Sequence, residues 1–100
     1  MKKSEVINIL RENKEKLKRF GVKKIGVFGS VARDEATEKS DIDIVVEFEK
    51  GKATFKNVGG LIEFLENLLD KEIDLLTPCG IESIRIKSVR ERIKKEVEYV

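Results

Sequence analysis

Ser40-Asp41-Ile42-Asp43-Ile44-Val45-Val46-Glu47-Phe48 carries the clearest strand periodicity in the chain. Ile42, Ile44, Val46 and Phe48 recur at every second position, the period of a β-strand with one buried face. Asp41, Asp43 and Glu47 fall on the opposite face. Two aspartates at i and i+2 on one strand point the same way, roughly 6–7 Å apart along the chain. Side by side they repel one another and have low β-propensity. A divalent cation such as magnesium, which takes carboxylate and phosphate oxygens, would remove that penalty. A lone pair of this kind also occurs on ordinary solvated strand faces.

On the N-terminal side, Lys24 to Phe28 is rich in strand formers and ends at Gly29-Ser30. Val31 to Glu35 reads as one helical turn, and Ala36 to Ser40 as a polar loop. A Gly-Ser turn between a strand and a helical turn offers free backbone N–H groups, and glycine lets a phosphate approach closely. The Ser30 hydroxyl adds a further hydrogen bond. Taken alone, such a turn marks no more than the end of a strand. Further upstream, Ser4 is the expected cap of a helix from Glu5 to Arg19, with Val6, Ile7, Leu10 and Leu17 as its apolar face and Gly21 as its stop.

On the C-terminal side, Glu49 to Gly60 reads as a loop rich in Lys and Gly, followed by a helix from Leu61 to Leu69. Glu72 to Leu76 forms a third strand, stopped by Thr77-Pro78. The last helix is expected from Glu82 to Glu96, with Ile86, Val89, Ile93 and Val97 as its buried stripe. Alternation of helices and strands predicts an α/β fold, a small mixed β-sheet of three to four strands packed with helices. One hundred residues predict a single domain spanning 1–100. Asp74 lies within Ile73-Asp74-Leu75-Leu76, where burial of a lone acid is costly. If the third strand lies beside the second, Asp74 completes a cluster of three carboxylates; otherwise it faces solvent.

Composition excludes several chemistries. The chain has no histidine, so neither a Ser-His-Asp nor a Cys-His centre can form, and acid–base or metal work falls to Asp, Glu, Lys or Tyr. Its 21 basic and 19 acidic residues leave a net charge of +2, too balanced for a general nucleic-acid coat. The basic residues of the last helix (Arg85, Lys87, Arg90, Arg92, Lys94, Lys95) alternate with Glu82, Glu91 and Glu96. No aromatics interleave with them to stack bases, so they read as a solvated face and direct nucleic-acid binding is not expected. A single cysteine, Cys79, permits no internal disulfide and fits a reducing compartment; after Pro78 it reads as a small buried residue. Phe55 and Phe64 are expected in the core or an interface, and Tyr99 in packing rather than self-modification. No stretch approaches the roughly 18 apolar residues of a membrane helix. The expectation is therefore a cytoplasmic protein without membrane contact.

Three separated elements agree with one family. Gly29-Ser30-Val31-Ala32-Arg33, then Glu38-Lys39-Ser40-Asp41-Ile42-Asp43-Ile44-Val45-Val46, then Asp74, resemble the minimal nucleotidyltransferase (MNT) domains of the polymerase-β-like superfamily. The chain end, Val89-Arg90-Glu91-Arg92-Ile93 to Glu98-Tyr99-Val100, is similar to the usual end of such domains. The resemblance implies the polymerase-β-like nucleotidyltransferase fold. It implies Asp41, Asp43 and Asp74 as catalytic residues and Mg2+ ligands, with Gly29, Ser30 and Arg33 binding the nucleotide and ATP as substrate. Arg33 has a competing role in a surface pair with Glu35 or Glu38. Many relatives have glycine where this chain has Asp34, which adds a negative charge near the expected phosphate site.

The same resemblance implies an antitoxin whose partner is a HEPN-domain ribonuclease toxin, silenced by addition of AMP to a tyrosine, with assembly as a homo-oligomer or with the toxin. Two alternatives stand beside it. One is a non-catalytic antitoxin that neutralises by binding and does not need the three acids. The other is a nucleotidyltransferase acting on a small molecule or RNA, active without a protein partner.

Overall fold

The computed structural model describes residues 1–100. Its elements run α1 (Lys3–Glu12), α2 (Lys14–Lys18), β1 (Val22–Phe28), α3 (Gly29–Ala32), β2 (Ile42–Phe48), α4 (Phe55–Leu69), β3 (Ile73–Leu76), α5 (Pro78–Glu82), α6 (Lys87–Glu96) and β4 (Glu98–Tyr99). The four strands form one mixed sheet in the order β3-β2-β1-β4. β1 is antiparallel to both β2 and β4, while β2 and β3 run parallel. The expected small mixed sheet packed with helices is thus observed, with β4 as a fourth strand that the sequence pattern did not reveal. No helix is long and apolar enough to cross a membrane.

Both faces of the sheet are covered. Ile42, Ile44 and Val46 of β2 join Ile25 and Val27 of β1 in the main core, packed against Val6, Ile7, Leu10 and Leu17 from α1 and α2 and Leu61, Leu65 and Leu69 from α4. Burying each such side chain contributes about 1.5–3 kcal/mol. The opposite face, which the alternation assigns to the acids, carries a second small cluster: Phe28 and Val45 against Ile81 and Ile93 of α5 and α6. Asp43 therefore shares its face with buried Val45 rather than with open solvent, and it is itself half-buried.

Several boundaries differ from the sequence reading. The first helix starts at Lys3, not after Ser4, because the backbone N–H of Lys2 donates to the Glu5 carboxylate and Lys2 is the capping position. It then breaks at Asn13, whose side-chain amide donates to the Ile9 carbonyl at 2.8 Å and competes with helix continuation. The Lys- and Gly-rich loop ends six residues early: Thr54 accepts from the Asn57 N–H and starts α4 at Phe55, which places Gly59 and Gly60 inside the helix.

The last helix is two. Thr77 caps α5 through the Gly80 N–H, Pro78 occupies the first turn, and α6 begins only at Lys87. Ile86 consequently sits at a helix start and is 63% exposed, so it leaves the stripe expected of it; Ile93 is buried, and Val89 and Val97 pack partly against it. Cys79, expected to be buried, is exposed in the first turn of α5. Phe55 is 97% exposed at the start of α4, whereas Phe64 packs at 5.4 Å from the Phe20 ring.

Candidate active site

Asp43 is the hub of the acidic face. It pairs in register with Phe28 across β1 and with Asp74 across β3. Register partners share a face of the sheet, so the Asp43 and Asp74 side chains are neighbours on it. Burial, and then the neighbouring Asp74, push the Asp43 carboxyl up to about 6; Asp41 adds to the push and Arg33 opposes it. Asp74 is exposed, and Asp41 stands exposed just ahead of β2.

The turn after β1 is built around that carboxyl. Gly29 adopts φ 68°, in the left-handed region, and a Cβ placed there would lie 2.0 Å from Oδ2 of Asp43. Only glycine satisfies both demands. The chain then enters α3, so Ser30 lies in a helical first turn, whose N–H groups have no partner within the helix.

Arg33 closes α3 as its C-cap. Its Nε donates to Glu35 at 2.9 Å and its Nη1 donates to Glu96 at 2.7 Å. Of the two surface partners that the sequence offered it, Glu35 is present; Glu96, at the end of α6, was not foreseen as any part of this site. The other oxygen of Glu96 accepts from the Gly29 N–H at 3.3 Å. No local pattern joins residues 29 and 96, so only the folded chain shows this contact.

Asp34 also finds an explanation. It takes φ 56°, a conformation that glycine adopts freely and aspartate tolerates. Its carboxylate accepts from the Lys3 N–H at 3.1 Å, at the start of α1, and its charge is thereby turned toward that helix end.

No three His, Cys, Asp or Glu side chains are drawn together tightly enough to hold a metal ion as they stand. The chemistry nevertheless fits magnesium: the donors are all carboxylate oxygens, and the pairing of Asp43 with Asp74 places two acids where a cation would relieve their repulsion. None of the four cavities is lined by Asp41, Asp43 or Asp74; the largest, about 590 Å³, lies between α1, Asp34 and Glu98. Asp41 and Asp74 are exposed and Asp43 is half-buried.

A mixed sheet that brings a Gly-Ser turn against paired carboxylates is the architecture of a nucleotidyl-transferring class. Residues 6–100 match the family model described as nucleotidyltransferase domain, and the chain belongs to that family. A Methanocaldococcus jannaschii chain assigned as a protein adenylyltransferase is 43% identical over 99 residues, covering 97% of this chain and 96% of its own length. The protein adenylyltransferase MntA of Thermococcus cleftensis is 41% identical, over 96% of this chain and 93% of its own. Among solved structures, one assigned as a minimal nucleotidyltransferase superposes with a TM-score of 0.69 at 32% identity, covering 98% of this chain and 95% of that one.

Proposed function

We propose that this chain transfers AMP from ATP to a hydroxyl of a partner protein, a tyrosine of a HEPN-domain ribonuclease toxin, and thereby acts as its antitoxin. The observation that carries the reading is the meeting of Asp43 with Asp74 beside the Gly29 turn, in a chain so similar along its length to protein adenylyltransferases. A crystal structure of a toxin–antitoxin with AMP-PNP shares the fold, at a TM-score of 0.61 and 21% identity. The exposure of Asp41 and Asp74, which line no cavity, supports a protein acceptor, because a second macromolecule would supply the missing wall of the site.

In this reading residues 1–100 work as one domain in the cytoplasm, consistent with a lone exposed cysteine in a reducing compartment. Asp41, Asp43 and Asp74 would hold Mg2+, which supplies neutralisation of phosphate charge. Ser30 holds the phosphates at the turn, Gly29, whose N–H is taken by Glu96, lets them approach closely, and Arg33 reaches them only by giving up Glu35 or Glu96. The acceptor oxygen attacks the α-phosphorus, the bond to the β-phosphate oxygen breaks, and pyrophosphate departs. Asp74, the exposed acid of the pair, orients the acceptor hydroxyl and takes its proton.

The test is intact-mass spectrometry of the neighbouring protein co-expressed with this chain. The expected result is a gain of one or more AMP units, lost with Asp41→Asn/Asp43→Asn. An unmodified partner that still forms a stable complex with the double variant would replace this reading with neutralisation by binding alone.

A further inference from the structure

Helix α3 is only four residues long, and a helix of that length does not hold its own geometry. It nevertheless carries Ser30 and is entered through the left-handed Gly29. Glu96 reaches this short helix at both ends: Oε2 accepts from the Gly29 N–H at its start, and Oε1 accepts from the Arg33 guanidinium at its cap. The Glu96 side chain is only 13% exposed, with Arg92 at 3.7 Å as a second guanidinium neighbour. A carboxylate sheltered to this degree needs such partners, and losing them would leave an uncompensated charge. Asp43 touches the other side of Gly29, where a Cβ would be. The turn is thus pinned between an acid of the sheet and an acid of α6.

We propose that Glu96 is a positioning residue for the transfer reaction: it braces α3 from Gly29 to Arg33 and so fixes where Ser30 holds the nucleotide phosphates relative to Asp43 and Asp74. The inference rests on the nucleotidyltransferase reading of the site. It also accounts for the arrangement of the chain end, since β4 pairs with Gly26 and Val27 directly ahead of the turn and ties the end of α6 to the strand that leads into α3. Misplacement of reacting groups by about 1 Å costs on the order of a hundredfold in rate. Glu96 therefore acts on turnover more than on binding.

The experiment compares wild type, Glu96→Gln and Glu96→Ala in three readouts: affinity for magnesium AMP-PNP by calorimetry, AMP transfer from labelled ATP to the co-expressed neighbouring protein, and hydrogen exchange at the Gly29 amide. Glu96→Gln keeps the shape and an acceptor for Gly29 but loses the charge facing Arg33. It is expected to lower kcat about tenfold while changing the ATP KM less than about threefold. Glu96→Ala is expected to lower kcat further and to accelerate Gly29 exchange without a matching change in the main core. A folded Glu96→Ala protein with wild-type kcat, or with unchanged Gly29 exchange, overturns the inference. If Glu96→Ala does not fold, an unaltered kcat in Glu96→Gln overturns it. Failure of the wild-type chain to bind AMP-PNP or to transfer AMP would instead sink the reading of the site, and the inference with it.

Discussion

Gly29 and Asp43 are in contact in a way that admits no side chain on the glycine: a Cβ at residue 29 would lie 2.0 Å from the Asp43 carboxylate oxygen. The same glycine has φ 68°, so a substituent there meets both a clash and a disfavoured backbone region. Gly29→Ala should destabilise the protein by about 1–3 kcal/mol and displace Asp43 or the turn, abolishing transfer. Thermal melting together with AMP-PNP calorimetry checks this. A variant that melts and binds as wild type would show that the turn and the carboxyl are not packed as described.

Asp43 should be a residue whose removal stabilises the fold while destroying activity. Its carboxyl is raised to about 6, first by burial and then by Asp74, above its ordinary value of 3.8. The folded state therefore holds this proton more tightly than the unfolded state does. Asp43 thus costs stability progressively as pH rises from about 4 to about 6, and the full cost persists above that range. In metal-free buffer, Asp43→Asn should melt higher than wild type at about pH 7.5, with the gap narrowing at about pH 4.5. Transfer should fall at least about a hundredfold. A melting difference that does not change with pH would show that the carboxylate pair is not strained.

The strands that carry the acids were readable in the sequence. The alternation of Ile42, Ile44 and Val46 set the face of Asp43, whereas the place of Asp74 hung on which strand lay beside the second, and only the fold shows the Asp43–Asp74 register. What the sequence hid were features in which side chains override local pattern. Gly59-Gly60 suggested a loop, yet α4 runs through them because Thr54 caps the helix ahead of them and Gly60 faces the Phe20 ring. Cys79 looked like core filling after a strand end, but Thr77 and Pro78 open a helix whose first turn is exposed. Glu96 looked like one of many solvated acids on a basic helix. Its pairing with Gly29 and Arg33 spans more than sixty residues and carries no periodicity that could announce it.

Chelation and metal addition should act through the same acids. If Asp43 and Asp74 repel one another in the free protein, Mg2+ with AMP-PNP should raise the melting temperature by mass action, by about 2.7 kcal/mol of stability at a hundredfold excess over the dissociation constant. The rise should be lost in both Asp43→Asn and Asp74→Asn, and EDTA should stop AMP transfer by the wild type. An equal rise in Asp74→Asn would remove residue 74 from the ligand set and leave it as a base for the acceptor alone.

The small cluster under the acidic face offers a test of how the site is supported. Phe28, Val45, Ile81 and Ile93 bury one another between the sheet and helices α5 and α6, and Ile93 lies one turn before Glu96. Truncation of a buried isoleucine to alanine costs about 2–5 kcal/mol. The cluster has only four buried members, so its surroundings can collapse into the gap and the cost should fall near the lower end. Ile93→Ala should therefore leave the protein folded but loosen α6 ahead of the main core, because the fifteen-residue cluster on the other face is untouched. Hydrogen exchange should show faster opening across residues 87–99 while β2 and α4 keep their protection. Activity should fall with that local opening, since Glu96 travels with α6. Uniform loss of protection across both faces would mean instead that the two clusters unfold as one unit and that the site has no separately stable support.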